Sequence, residues 1–163
     1  MKKITAPLNI NLHDNQRTIH NNPALFKVVK AGKRFGKTKW ALYELCRAAG
    51  NTPNGIFWLI APTYRQAKNI AWHELNAILP TDMVKRSVEN ELMKVLINDA
   101  QIRLIGADNE DALRGIKLHG VVFDEAAYTE QYAWEGIIQG QLLGAEGQGS
   151  GFAYFISSPN KKG

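Results

Sequence analysis

Apolar residues along this chain fall into two kinds of run. Residues 26–31, 56–61, 118–123 and 152–156 are short strand-like runs rich in apolar residues, and 56–61 is continuously apolar, as a strand covered on both faces should be. Between them the apolar positions recur every three or four residues. After the first run, Ala41, Leu42, Leu45, Cys46 and Ala49 share one helical face, with Gly50 as the expected stop and a turn cluster at residues 51–55. After the second, Thr63-Tyr64-Arg65-Gln66 has capping-box form and opens a helix that carries Ala67, Ile70, Ala71, Leu75 and Ile78 inward and ends at Pro80. Strand, helix, strand, helix predicts a parallel sheet with right-handed crossovers.

Residues 83–106 change character. Residues 92–97 and 101–105 are β-prone and joined by Asn98-Asp99-Ala100, which predicts an antiparallel hairpin within residues 91–106, a structural addition at one edge of the sheet. A short helix or turn is expected over 108–113, ending at Arg114-Gly115. A helix is expected over 131–138 with Tyr132, Trp134 and Ile138 as core candidates, and a mobile glycine-rich loop over 140–151.

Composition adds bounds. The chain has 163 residues, 45% hydrophobic and 21% charged, which suits one globular core, residues 23–163, preceded by a polar, Asn-rich arm, residues 1–22. No stretch approaches about 18 continuous apolar residues, so no membrane partner is expected, and the N-terminus lacks the apolar run of a signal peptide. The single cysteine, Cys46, excludes an internal disulfide and fits a reducing interior. His13, His20, His73 and His119 show no metal-ligand spacing. The net charge of +5 suits a polyanion, but the basic cluster of Lys27, Lys30, Lys33, Arg34, Lys37 and Lys39 is explained by nucleotide phosphates alone and says little about DNA.

That cluster surrounds the most informative stretch, Ala31-Gly32-Lys33-Arg34-Phe35-Gly36-Lys37-Thr38. Strand, glycine-bearing loop, Lys-Thr and helix is the layout of a phosphate-binding loop. Gly32 and Gly36 allow a tight turn and close backbone approach, successive N–H groups form an anion nest, and the helix adds its positive end. Lys37 would reach the β- and γ-phosphates of ATP, and Thr38 would offer its hydroxyl to Mg²⁺. The loop is deviant: Ala31 stands where the usual form begins with glycine.

Downstream, the run ending Val121-Val122-Phe123 closes on Asp124-Glu125. An aspartate at a strand's carboxyl end can hold Mg²⁺, and the glutamate beside it can orient an attacking water, which suffices for a phosphoryl transfer that is mostly positioning and charge stabilisation. Two further features stay open on residue types alone. Gln16 reads as a solvated glutamine or as an amide pairing with adenine. Ser157-Ser158-Pro159 reads as a plain strand exit or as hydroxyls that sense the γ-phosphate.

Taken in order, Gln16, residues 32–38, Ala61-Pro62-Thr63-Tyr64, Leu113-Arg114-Gly115, Phe123-Asp124-Glu125-Ala126-Ala127 and Ser157-Ser158-Pro159 resemble the N-terminal ATPase domain of the large terminase subunit of tailed bacteriophages. The resemblance spans about residues 12–160. It implies an α/β fold: a three-layer sandwich around a mostly parallel sheet, of the additional-strand class of P-loop nucleotidases, with the Walker A strand central and the Walker B strand nearby. It implies an adenine contact at Gln16 and a nucleotide-binding loop made of Gly32, Lys33, Arg34, Phe35, Gly36, Lys37 and Thr38. It places Mg²⁺ on Thr38 and Asp124, catalysis on Glu125, and coupling on Ser157, Ser158 and Pro159. Arg34 and Arg114 match arginines that stabilise charge in this family, within a subunit or across to a neighbour. The implied activity is ATP hydrolysis that moves double-stranded DNA into a procapsid. The implied partners are a portal protein and a small terminase subunit, with a homo-oligomeric ring when active, a monomer in isolation, and a location in the cytoplasm of an infected bacterium.

Two departures stand beside this. The chain stops at Gly163, short of the nuclease domain of such proteins, so a fragment, an excised domain or a short natural variant is expected, without nuclease activity. Residues 138–141 read Ile-Gln-Gly-Gln where an Arg-Pro pair is common. Two rivals share parts of the pattern: the motor domain of a DNA helicase, which would need a second motor domain, and a non-hydrolysing nucleic-acid-binding module.

Overall fold

The computed structural model describes residues 7–126, 134, 142 and 151–159. The expectations for residues 127–133, 135–141, 143–150 and 160–163, including Tyr132, Ile138 and most of the glycine-rich loop, lie outside the described residues.

Among the described residues seven strands form one sheet, in the order β1-β7-β6-β2-β5-β4-β3. They are β1 (Phe26–Lys30), β2 (Ile56–Ala61), β3 (Val84–Val88), β4 (Met93–Leu96), β5 (Gln101–Gly106), β6 (Gly120–Asp124) and β7 (Phe152–Ser157). The pairs β1–β7, β7–β6, β6–β2 and β2–β5 are parallel, whereas β5–β4 and β4–β3 are antiparallel. The helices are α1 (Asp14–Asn21), α2 (Lys37–Asn51), α3 (Tyr64–Gln66) and α4 (His73–Ile78), the last two joined through a π-helical segment, Ala67–Trp72.

Alternation along the inner strands shows why the runs are continuously apolar. Phe57, Leu59 and Ala61 enter the cluster under α2 and α4, while Trp58 and Ile60 enter the cluster on the opposite face. Strands β6 and β7 divide likewise, Val122, Tyr154 and Ile156 to one side and Val121, Phe123 and Ala153 to the other. Helix, sheet and second cover make the three layers of the expected α/β sandwich. Trp40 of α2 is fully buried and stacks on Tyr154 with ring centroids 5.3 Å apart, pinning the helix to β7. Trp134 packs edge-on to Phe123 and Phe155 on the other face.

Several sequence expectations are corrected. Strand β1 lies at one edge of the described sheet and not at its centre: it pairs with β7 alone, and Phe26 and Val28 face outward at 51% and 71% exposure. The expected antiparallel hairpin is present as β4–β5, and a further strand, β3, extends it to a three-stranded meander. β3 escapes notice because Lys85-Arg86-Ser87 fills it with exposed polar residues, which suits a sheet edge guarded by charge. Helix α2 runs through Gly50 to Asn51, since the buried Asn98 side chain donates to the carbonyls of Ala49 at 2.9 Å and Gly50 at 3.4 Å and so supports the last turn. Ile70 is 57% exposed and Trp72 is buried instead, because the wider π-helical turn shifts the phase of the inward face. Thr63 accepts from the Gln66 amide as expected, but the Gln66 side chain takes the Thr63 hydroxyl in place of closing the box on the backbone.

Candidate active site

The parallel register brings three strand ends together. Lys30 of β1 is level with Ser157 of β7, and Asp124 of β6 is level with Ile156. Carboxyl ends of β1, β7 and β6 therefore share one rim of the sheet, the place where open α/β sheets take ligands.

The segment after β1 is a single 3₁₀ turn, Lys33–Phe35, between Gly32 and Gly36. Gly36 has φ 77° and ψ 44°, a left-handed conformation that side chains disfavour, and it opens α2 at Lys37. The loop is tethered to β7 by Ala31 N donating to Ser157 O at 3.1 Å. Lys37 is 7% exposed, and its ammonium turns back into the loop. It donates to Ala31 O at 2.5 Å, to Gly32 O at 3.3 Å and to Ser158 Oγ at 3.4 Å. The Ser158 hydroxyl donates in turn to Glu125 Oε1 at 3.5 Å.

The Thr38 hydroxyl hydrogen-bonds Asp124, whose carboxyl is pushed up to about 6 by burial first and by the Glu125 charge second. Lys37 and Thr38 pull in the opposite direction without cancelling these. Glu125 sits immediately after β6 with φ 51°, a left-handed conformation unusual for a side-chain-bearing residue and frequent at functional sites. An oxygen set of one hydroxyl and one partly buried carboxylate suits Mg²⁺, which keeps several waters and takes few protein ligands. Among the described residues no group of three or more His, Cys, Asp or Glu gathers as a metal cage.

Five of the predicted residues thus converge: Lys37, Thr38, Asp124, Glu125 and Ser158. Ser157 is buried at the end of β7, and Pro159 is exposed beyond it. Lys33 and Arg34 are exposed on the loop, and Arg114 is exposed ahead of β6. Gln16 is 4% exposed and points at the loop from outside, its Nε2 donating to Phe35 O at 3.2 Å and Gly36 O at 3.0 Å. His13, to which the sequence reading gives no role, lies beside it with its Nε2 2.8 Å from Phe35 O. The available signal was the spacing His13-x-x-Gln16, which has the form of a helix N-cap pair.

No family model matches the chain. Two curated proteins do, the large terminase subunits of Thermus phage G20c, 28% identical over 168 residues, and of Thermus virus P23-45, 28% identical over 166. Each alignment covers 90% of this chain and 33% of the relative, so the chain spans about a third of the length of the curated relatives it matches. Among solved structures, the ATPase domain of the Thermus phage P74-26 large terminase superposes with a TM-score of 0.81 at 25% identity, over 94% of this chain and 67% of that one. Over nine-tenths of its length, then, this chain is similar in sequence to phage large terminase subunits and in fold to a large terminase ATPase domain.

Proposed function

We propose that this chain is the ATPase motor domain of a viral DNA-packaging terminase, which binds ATP with Mg²⁺ and hydrolyses it to move double-stranded DNA into a procapsid. The observation that carries the reading is the connected set Lys37, Ser158 and Glu125 at one rim of the sheet, with Thr38 on Asp124 beside it.

In this reading the triphosphate lies over the Gly32–Gly36 turn, in reach of the loop N–H groups and the N-terminus of α2. Lys37 moves its ammonium from the loop carbonyls to the β- and γ-phosphates. Thr38 and Asp124 hold Mg²⁺, which when bound neutralises charge on the phosphate oxygens. Glu125 holds a water in line with the γ-phosphate, and Ser158 contacts both Lys37 and Glu125, where it can register loss of that phosphate. Lys33 and Arg34 add positive charge at the loop. Arg34 or Arg114 meets the charge that grows in the transition state; Arg114, exposed ahead of β6, is free to do so for a neighbouring subunit in a ring. The same reading assigns Ser157 and Pro159 to coupling with Ser158, and gives the motor a portal protein and a small terminase subunit as partners in the cytoplasm of an infected bacterium.

Calorimetry with ATP and Mg²⁺ tests this directly. The wild type should bind, Lys37→Ala should lose binding, and Glu125→Gln should bind but not hydrolyse. An arginine supplied by another subunit is worth about 10³–10⁵ in rate in related chemistry, so binding, and not turnover of an isolated monomer, is the deciding readout. A wild type that fails to bind ATP with Mg²⁺ would overturn the proposal.

A further inference from the structure

The phosphate loop is held from behind by α1. A phosphate-binding loop works by aiming its N–H groups inward, which requires the carbonyls of the same turn to point outward. At Phe35 and Gly36 those carbonyls have partners. His13 Nε2 lies 2.8 Å from Phe35 O, and Gln16 Nε2 donates to Phe35 O at 3.2 Å and to Gly36 O at 3.0 Å. The pair is itself locked. Gln16 Oε1 accepts from His13 N at 3.0 Å, and His13 Nδ1 accepts from Gln16 N at 3.3 Å, a reciprocal cap on α1. With Nδ1 accepting, the ring proton sits on Nε2 and donates to Phe35 O. The His13 ring also meets Phe35 edge-on at 5.1 Å.

Both amide hydrogens of Gln16 are therefore engaged on the loop. Its oxygen and its amide nitrogen are both engaged within the protein, and a Cβ at Gly36 would stand 2.9 Å from Gln16 Nε2. We infer that His13 and Gln16 are positioning residues that hold the Phe35–Gly36 peptides in the phosphate-binding orientation, so that their contribution to binding is independent of the base. The inference rests on the nucleotide-binding reading above and replaces an adenine contact by Gln16 with a grip on the loop.

The test compares three ligands with Mg²⁺ by calorimetry: ATP, GTP and inorganic tripolyphosphate, which has no base. Two variants are used with the wild type. Gln16→Ala removes both amide donors. His13→Asn keeps a strong N-cap acceptor for α1 but is too short to reach Phe35 O, so it separates the grip from the helix cap. Loss of the grip predicts a fall of roughly 3- to 10-fold for His13→Asn, and of tenfold or more for Gln16→Ala, equal for all three ligands, with the His13→Asn melting temperature lowered by no more than the few degrees that one hydrogen bond is worth. Weakening of ATP alone in Gln16→Ala, with tripolyphosphate unaffected, would make Gln16 a base reader and overturn the inference. Unchanged affinities in His13→Asn would reduce His13 to a helix cap and overturn its part. A wild type that binds none of the three would defeat the nucleotide reading itself, an outcome distinct from selective loss in a variant.

Discussion

Lys37 and Ser158 meet at 3.4 Å although 121 residues separate them in sequence. The contact exists because β7 inserts between β1 and β6, placing the residue after β7 between the lysine that follows β1 and the glutamate that follows β6. A hydroxyl can accept from an ammonium and donate to a carboxylate at once, so Ser158 is placed to report the state of one to the other. Ser158→Ala should leave ATP affinity within a few-fold of wild type and lower the hydrolysis rate by up to about 10²-fold, the scale of a misplaced catalytic group. Parallel calorimetry and steady-state phosphate release check this; equal loss of binding would make Ser158 a ligand contact and not a coupling group.

Asp124 gives a pH-dependent prediction. Its folded-state carboxyl sits at about 6 against an ordinary 3.8, so the fold disfavours the ionised form. The contribution is most favourable below 3.8, where folded and unfolded forms are both protonated, and is lost as pH rises through 6. Asp124→Asn keeps a partner for Thr38 and removes the buried charge. Without nucleotide it should be the more stable protein at pH 7.5, by up to about 3 kcal/mol at 1.36 kcal/mol per unit, and the gap should narrow as pH falls through this window. Thermal melts at several pH values measure it, and the same variant should lose its Mg²⁺-dependent gain in ATP affinity.

Much of this was legible in the sequence because each motif is local. Gly36-Lys37-Thr38 and Asp124-Glu125 each sit where an apolar run ends, and end-of-strand position is what a parallel sheet converts into a shared rim. β2 was readable to the residue, since a strand buried on both faces leaves no polar position to blur its bounds. What could not be read depends on contacts between distant elements. The central place of β1 was implied by the family resemblance, and nothing in Phe26-Lys27-Val28-Val29-Lys30 shows that Phe26 and Val28 face outward at an edge. β3 is polar, and its place in the sheet comes from β4. The π-helical turn that exposes Ile70 has no periodic signature of its own. The amide of Gln16 suits a base or a carbonyl equally by residue type, and its partners in the fold depend on where α1 packs.

The two loop glycines should respond in opposite ways. Gly36 has φ 77° and a Cβ there would press on Gln16, whereas Gly32 has φ −65° and open space around the corresponding position. Gly36→Ala should cost about 1–2 kcal/mol from the left-handed backbone alone, or roughly 2–8 °C in melting temperature, and should abolish tripolyphosphate binding. Gly32→Ala should melt at or slightly above the wild-type temperature, because it restricts only the unfolded chain. A Gly36→Ala protein as stable as wild type would mean that the loop does not need its left-handed corner.

Asn98 connects the meander to the far end of the same helix that carries Lys37. It is 2% exposed, and its amide donates to the Ala49 and Gly50 carbonyls while its oxygen accepts from Ala100 N at 3.1 Å. Truncating it leaves buried donors and acceptors without partners, which costs the desolvation of each group and not merely the net value of a bond. Asn98→Ala should therefore destabilise the protein by about 1–3 kcal/mol in denaturant melts. Its ATP affinity, measured well below the melting temperature, should stay near wild type, because Trp40 fixes the loop end of α2 independently by stacking on Tyr154. If affinity fell as far as stability, α2 would be transmitting a disturbance along its whole length, and the loop would depend on both ends of the helix instead of on α1 and β7.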